Sequence, residues 1–278
     1  MTAGTLYIVA TPIGNLSDFS PRAEQTLKEC GFIAAEDTRV TMKLLNHLGV
    51  RKPLVSCYKQ NEKNRADEII GRILAGEDCA LCSDAGTPAV SDPGEEIVRA
   101  ARQAGIRVVP VPGCCAAVTA LSASGMPSVR FCFEGFLPVP AKDRRERLAS
   151  LAGEERTMIF YEAPHRLRKT LKDLYEAFGD RRMTVSRELT KIHEETLDLT
   201  LTSAIDHFGI NEPRGEFVLI IEGAAHQTEE LSPEDSLALV KRLREEEGLS
   251  LSEACKQAAA LSGQTKGVLY KAALEAGL

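Results

Sequence analysis

Short apolar runs and longer amphipathic stretches alternate along the first two-thirds of the chain. Thr5–Ala10, Phe32–Ala35, Pro53–Cys57, Cys79–Ser83 and Ile106–Val111 are apolar and of strand length. Between them, Pro21–Cys30, Arg39–Leu48, Asn61–Ala75 and Pro93–Ala104 repeat apolar residues at helical spacing. Gly31, Gly49, Gly76 and Gly105 follow those stretches, where a helix C-terminal cap is expected. This alternation predicts a largely parallel sheet covered by helices.

A second α/β block follows. Phe131–Phe136, Thr157–Tyr161, Met183–Arg187, Thr196–Leu201 and Phe217–Ile221 read as strands, and Cys115–Ser124, Lys142–Leu151, Pro164–Phe178 and Ser203–Phe208 as helices. The strands near Thr184–Glu188 and Glu195–Leu201 are placed to pair antiparallel, which predicts a mixed sheet. The boundary is expected in Ser122–Arg130, which holds Gly125 and Pro127, giving α/β domains over 1–122 and 123–225. Ala224–Leu231 reads as a polar linker. Ser232-Pro233 then opens a helix that ends near Gly248, Ser250-Leu-Ser-Glu253 is a capping box for a second that ends at Gly263, and a third runs over about 264–276. This region, 230–278, resembles a helix-turn-helix, with Lys266, Tyr270 and Lys271 on its last helix. Six basic against nine acidic residues from Glu229 onward leave a plain packing appendage equally open.

Composition narrows the class. The 278 residues are 44% hydrophobic and 27% charged, ordinary for a globular enzyme. No apolar run reaches the roughly 18 residues of a membrane span. The start of the chain reads as a first strand and not as a signal peptide, so a cytoplasmic protein with reduced cysteines is expected. Cys79 and Cys82 have Cys-x-x-Cys spacing without a second pair, and the five histidines lack ligand spacing, so no metal site is expected. Ala141–Lys191 holds thirteen Lys/Arg and nine Asp/Glu, a surplus of +4 in a chain of net −6, so the remainder carries −10. A basic middle in an acidic chain suits a local phosphate-binding face, and solvated helix faces would give the same composition.

The chemistry sits where strands end. Ser83-Asp-Ala-Gly-Thr-Pro-Ala-Val-Ser-Asp-Pro-Gly94 is a long loop of small residues with two aspartates. Asp92 is placed to cap the next helix, with Pro93 in its first turn and Glu95 at capping-box spacing. Thr11-Pro-Ile-Gly-Asn-Leu16, Ala35-Glu-Asp-Thr-Arg39, Val111-Pro-Gly-Cys-Cys-Ala116 and Tyr161-Glu-Ala-Pro-His-Arg166 also follow strands. Open α/β sheets bind ligands at that edge, and five such loops together point to a ligand site. The dinucleotide fingerprint, the P-loop and the serine-hydrolase elbow are all missing.

These motifs, with Gly135-Phe-Leu-Pro138, Phe160-Tyr-Glu162, Arg187-Glu-Leu-Thr-Lys191 and Gly215-Glu216, resemble the tetrapyrrole-methylase superfamily over Thr5–Gly223. Within it they are most similar to the branch that methylates the 2′-hydroxyl of a cytidine ribose in 16S ribosomal RNA. The resemblance implies two α/β domains with S-adenosylmethionine (SAM) folded in the cleft between them, a small C-terminal helical domain, and a homodimer acting on 16S rRNA or the small ribosomal subunit. It implies a SAM site of Pro12, Ile13, Asp84, Ala85, Gly86, Thr87, Cys114, Cys115, Tyr161 and Glu216. One departure is Tyr58-Lys-Gln-Asn-Glu62, where relatives carry histidines before the Asn-Glu pair.

Methyl transfer to a ribose hydroxyl needs near-attack geometry and a positioned base or cation. Glu36, Asp37, Arg39, Glu188 and Lys191 are the candidates, with Asp37 or Glu188 as base and Lys191 or Arg39 polarising the hydroxyl. A helix-capping Asp–Arg pair is the other reading of Asp37 and Arg39. Asn61, Glu62 and His165 are expected to meet the acceptor, and Lys142, Arg144, Arg145 and Arg147 its phosphates. Methylation of a small precorrin-type tetrapyrrole, and a non-catalytic RNA-binding or ribosome-assembly role, are the alternatives. The Ala35–Arg39 and Arg187–Lys191 motifs speak against the first, and the intact Pro12–Asn15 and Asp84–Pro88 loops against the second.

Overall fold

A computed structural model describes residues 2–225 and 231–278. Most of the expected Ala224–Leu231 linker, with His226 and the start of the expected helical domain at 230, lies outside the described residues. The chain divides into two compact units, Met1–Gly223 and Ala224–Leu278.

The first unit begins with β1 (Thr5–Val9), α1 (Pro21–Glu29), β2 (Phe32–Ala35), α2 (Thr38–His47), β3 (Leu54–Ser56), α3 (Glu62–Leu74), β4 (Cys79–Cys82), α4 (Glu95–Gln103) and β5 (Arg107–Val111). The five strands form a parallel sheet in the order β3-β2-β4-β1-β5. Both faces are covered, so β2 and β4 are buried at every position. Leu6, Phe32 and Leu81 pack on Ile69 and Ile73 of α3 and Ile97 of α4. Val9, Ile33 and Ala80 pack on Leu27 of α1 and Leu45 of α2. Each such large side chain contributes about 1.5–3 kcal/mol on burial. The neighbours β1 and β4 send their connections in opposite directions, so a crevice opens between their ends.

The second sheet comprises β6 (Phe131–Phe136), β7 (Thr157–Glu162), β8 (Arg182–Arg187), β9 (Glu195–Thr200) and β10 (Phe217–Ile221), in the order β6-β7-β10-β8-β9. Only β6 and β7 are parallel; β8 pairs antiparallel with β9 and with β10, giving the mixed sheet that the sequence suggests. One face packs on α6 (Ala141–Leu151), α7 (Pro164–Phe178) and α8 (Leu201–Ile210) through Met158, Phe160 and Leu219 against Leu148, Leu171 and Phe208. The other face, with Ile159, Val218 and Ile220, is covered by Ala117, Ala120 and Leu121 of α5 (Ala116–Ala123). Helix α5 therefore packs on the second sheet, and the chain leaves the first sheet at Pro112–Cys115.

The second unit is a three-helix array of α9 (Pro233–Glu247), α10 (Leu251–Ser262) and α11 (Lys266–Glu275) around Val240, Leu243, Cys255 and Leu269. Its caps follow the sequence: Ser232, the Ser250–Glu253 capping box, and left-handed Gly248 and Gly263.

Five local expectations are corrected. Gly49, Gly76 and Gly105 have positive φ after their helices, but Gly31 does not; there a Cβ would sit 3.3 Å from the Asp78 carbonyl oxygen, so close approach is the constraint. Asp92 does not cap α4. The N-cap is Gly94, and the cap is supplied from α3 by the buried Glu62, whose Oε1 accepts from the amides of Gly94 at 2.9 Å and Glu96 at 2.8 Å. Glu62 is thus withdrawn from any acceptor. Asn61 is also committed, accepting from the Tyr58 amide at 2.8 Å and donating to the Ser56 carbonyl at 3.3 Å. Arg144 is buried between α6 and α7, 2.6 Å from Asp173 and donating to Thr170 at 2.8 Å, so it offers nothing to a phosphate.

Because one carboxylate serves several orphan amides, Glu62→Ala should lower unfolding free energy by about 2–3 kcal/mol. Urea denaturation measures this, and a change under about 0.5 kcal/mol would remove Glu62 from the cap.

Candidate functional site

The C-terminal edge of the first sheet is tied by backbone. The Thr11 amide donates to the Gly86 carbonyl at 2.8 Å and the Gly86 amide to the Thr11 carbonyl at 3.0 Å. This bridge joins the loops after β1 and β4 across the switch point. Gly86 has φ +83, and a Cβ there would face Ile13 Cγ2 at 3.5 Å. The Thr87 hydroxyl donates to the Cys114 carbonyl at 2.9 Å, fixing the turn after β5.

A cleft of about 540 Å³ opens against this frame. Ile13, Ala85, Gly86, Thr87 and Cys115 line it from the first sheet's loops, and Tyr161, Glu162–His165 and Glu216–Val218 from the second sheet. Of the expected SAM contacts, Ile13, Asp84–Thr87, Cys115, Tyr161 and Glu216 come together here. Pro12 lines a shallower recess with Val40 and Lys43. Cys114 stands outside the lining, its thiol 3.7 Å from the Asp18 carbonyl. The Tyr161 hydroxyl accepts from the Ala117 amide at 3.0 Å, and burial pushes it up to about 12.

Five acidic residues line the cleft, Glu162 and Glu216 from the second sheet and Glu36, Asp84 and Asp92 from the first. Glu36 accepts from the Asp84 amide at 3.2 Å, while Asp84 accepts from the Asp37 amide at 3.0 Å, so the ends of β2 and β4 hold each other. Burial raises both above their ordinary values; repulsion from Asp84 and Asp37 adds to the rise of Glu36, and repulsion from Asp37 to that of Asp84. Burial, then Glu36 and Asp84, lift Asp92 to about 6. Sequence reasoning assigned Asp92 to a helix cap; its signal was the second aspartate in a loop otherwise free of bulk.

Asp37 and Arg39 lie beside the cleft, in a recess with Tyr58 whose wall Glu36 shares. Asp37 caps α2 through the Arg39 amide at 2.8 Å, and its carboxylate meets the Arg39 guanidinium at 2.6 Å. Those bonds hold Asp37 at about 2, which makes it a weak base. The Arg39 side chain is 87% exposed.

The segment after β8 forms a strap. The Lys191 ammonium lies 2.9 Å from Glu188 and 2.9 Å from Glu216. Burial works against that ammonium, but the two carboxylates raise it above its ordinary value. Hydrogen bonding to Lys191 lowers Glu188. The Lys191 chain crosses the first loop so closely that a Cβ on Gly14 would sit 2.5 Å from its Cγ. Glu188 is therefore a strap anchor and not a poised base. His165 is exposed at the cleft rim on the first turn of α7; Lys142 and Arg145 are exposed on α6, away from the lining. Among the described residues no cluster of three or more His, Cys, Asp or Glu could hold a metal ion, and no helix is long and apolar enough to cross a membrane.

A cleft at the switch point of a parallel sheet, closed by a mixed second sheet, defines a methylase of the tetrapyrrole type, and the family model "Tetrapyrrole (Corrin/Porphyrin) Methylases" matches residues 5–205. The "RsmI C-terminal HTH domain" model matches residues 230–277. The chain is 48% identical to ribosomal RNA small subunit methyltransferase I of Pseudomonas aeruginosa, covering 99% of this chain and 98% of that one. It is 51% identical to the protein of the same name from Xylella fastidiosa (strain Temecula1), over 97% and 98%. A solved uroporphyrin-III C-methyltransferase from Thermus thermophilus, complexed with S-adenyl homocysteine, shares the fold at TM-score 0.55 and 18% identity, covering 79% of this chain and 97% of that one. The chain belongs to the ribosomal RNA small subunit methyltransferase I family, within the tetrapyrrole methylases, and is a SAM-dependent methyltransferase.

The cleft suits that donor. Its volume is that of a small-ligand site, small residues leave backbone exposed for the nucleoside and amino-acid parts, and the acids complement a sulfonium cation. Gly86→Val puts a branched side chain at positive φ beside Ile13. It should weaken binding of S-adenosylhomocysteine (SAH) at least tenfold by calorimetry, and unchanged affinity would place the ligand elsewhere.

Proposed function

We propose that the protein transfers a methyl group to the ribose 2′-hydroxyl of a cytidine in 16S rRNA, acting on the small ribosomal subunit in the cytoplasm as a homodimer. What supports this reading most is that proteins 48% and 51% identical over nearly the whole chain are named ribosomal RNA small subunit methyltransferase I. SAM bound in the cleft would supply the electrophilic methyl group. Ile13, Ala85, Gly86, Thr87, Cys115 and Tyr161 hold the donor and exclude water. Glu36, Asp84 and Glu216 face its cationic and amino-acid parts.

The acceptor approaches through the Asp37–Arg39–Tyr58 recess, whose shared wall at Glu36 brings a ribose to the cleft. Arg39 neutralises an incoming phosphate there, with Asp37 fixing its guanidinium. Lys191 orders the strap over the first loop. Lys142 and Arg145 take more distant phosphates, and His165 guards the rim.

With methyl-labelled SAM and unmethylated small subunits, label should enter rRNA and be recovered as 2′-O-methylcytidine. Label in a precorrin mixture but not in rRNA would favour a tetrapyrrole acceptor, and no calorimetric heat with SAH a non-catalytic role. Arg39→Ala should reduce kcat/KM for subunits about tenfold or more while SAH affinity stays within about twofold. An unchanged kcat/KM would move the RNA path away from this recess.

A further inference from the structure

Resting on the reaction just described, we propose that Asp92 is the proton acceptor for the ribose hydroxyl. Its position in the cleft and the existing commitments of the other acidic groups single it out. Glu36 is occupied by the Asp84 amide and Asp84 by the Asp37 amide. Glu162 is buried and bound by Thr170 and Arg166. Glu216 and Glu188 share Lys191, and Asp37 is held by Arg39. The Tyr161 hydroxyl already accepts an amide. Asp92 lines the cleft, with only the Ser83 hydroxyl to offset its burial.

Its loop is built to keep it there. Ala89 and Ser91 both have positive φ, at 65° and 67°. Non-glycine residues adopt that conformation at a cost, and such strain persists where the surroundings enforce it. Ser91 packs against Gly135 of β6, 3.0 Å from where a Cβ would stand. The loop thus spans from the first sheet to the second and presents Asp92 between them. The groups facing Asp92 are Glu36 at the end of β2, Ser83 and Asp84 at the end of β4, and Tyr161 on β7. Burial first, and then the two acids, keep its proton affinity high, and no cation competes for it among these neighbours.

The step balances. The ribose oxygen gains the methyl group and loses its proton to an Asp92 carboxylate oxygen, while the bonding pair of the broken C–S bond stays on sulfur. The carboxylic acid then returns its proton to water. Since the ionised carboxylate is the active form, the rate should climb with pH through about 6 and level off above it.

Asp92→Asn tests this. With small subunits and SAM, kcat should fall about 100-fold or more, SAH affinity should stay within about twofold, and the residual rate should lose the acid limb. Asp92→Glu should recover part of the rate with its limb. His165, the other base at the rim, is compared as His165→Ala, which should keep the limb. Carbon NMR of the ligand-free protein labelled at aspartate carboxyls should show one group titrating near 6 that disappears in Asp92→Asn. The inference is overturned if Asp92→Asn keeps kcat within about threefold, if it loses SAH affinity with its rate, if His165→Ala abolishes the limb, or if no aspartate titrates there. A wild-type protein that leaves subunits unmethylated overturns the reaction itself, and this inference with it; an active wild type with an active Asp92→Asn overturns this inference alone.

Discussion

Everything at the cleft depends on the pair of backbone hydrogen bonds between Thr11 and Gly86. The ladder between β1 and β4 reaches Ile8 and Leu81, and beyond it the two chains depart in opposite directions, so their loops need a further tie to hold them together. The bridge does so without side chains and leaves the crevice free for a ligand. It requires a residue that tolerates φ +83, and it draws Ile13 and Ala85 together into the lining of one cleft. Glu36 and Asp84 extend the lock to β2, Glu36 accepting from the Asp84 amide and Asp84 from the Asp37 amide. Hydrogen bonds to charged acceptors are worth more than neutral ones, about 1.5–3 kcal/mol each, and less at an exposed edge such as this one.

This lock produces the electrostatics of the site. Carboxylates that brace strand ends also face the cleft, so the walls are acidic before any ligand arrives. An acidic slot favours a sulfonium over the neutral thioether that remains after transfer, which helps donor binding and product release together. It also repels RNA. The chain resolves the conflict by position: Arg39 projects beside the cleft with its side chain 87% exposed, while Asp37 absorbs part of its charge. The net charge of −6 is thus no measure of local charge, because acids line the cleft while an exposed guanidinium stands beside it.

Alternation of apolar runs with amphipathic stretches was enough to read both sheets, because strands buried on both faces and helices with one buried face differ in period. Phe32–Ala35 and Phe217–Ile221 have the expected bounds to the residue. The cleft lining was legible as strand-end loops, since sheet topology alone puts them on one edge. Illegible were features set by contacts distant in sequence. Glu62 caps a helix that begins over thirty residues later, so local capping rules assigned that role to Asp92. Arg144 sits in a basic run that looks solvated, yet it turns inward to Asp173 on the next helix. Helix α5 follows the first sheet in sequence but packs on the second, because Ala117, Ala120 and Leu121 find apolar partners only there.

Backbone strain marks the same boundary from another direction. The four non-glycine residues with positive φ among the described residues are Ala89, Ser91, Glu188 and Thr190, and they fall in two segments that both border the cleft. Each such residue costs of order 1–3 kcal/mol. A turn under selection for stability alone would carry glycine or asparagine at these positions. Instead one segment places Val90 and Asp92 in the lining, and the other places Leu189 there and carries Lys191 over Gly14. Two well-packed sheets supply the rigidity that keeps these conformations from relaxing. The strain is therefore spent where the first sheet's loops must meet the second sheet, at the one place where the chain needs side chains in fixed positions around a guest.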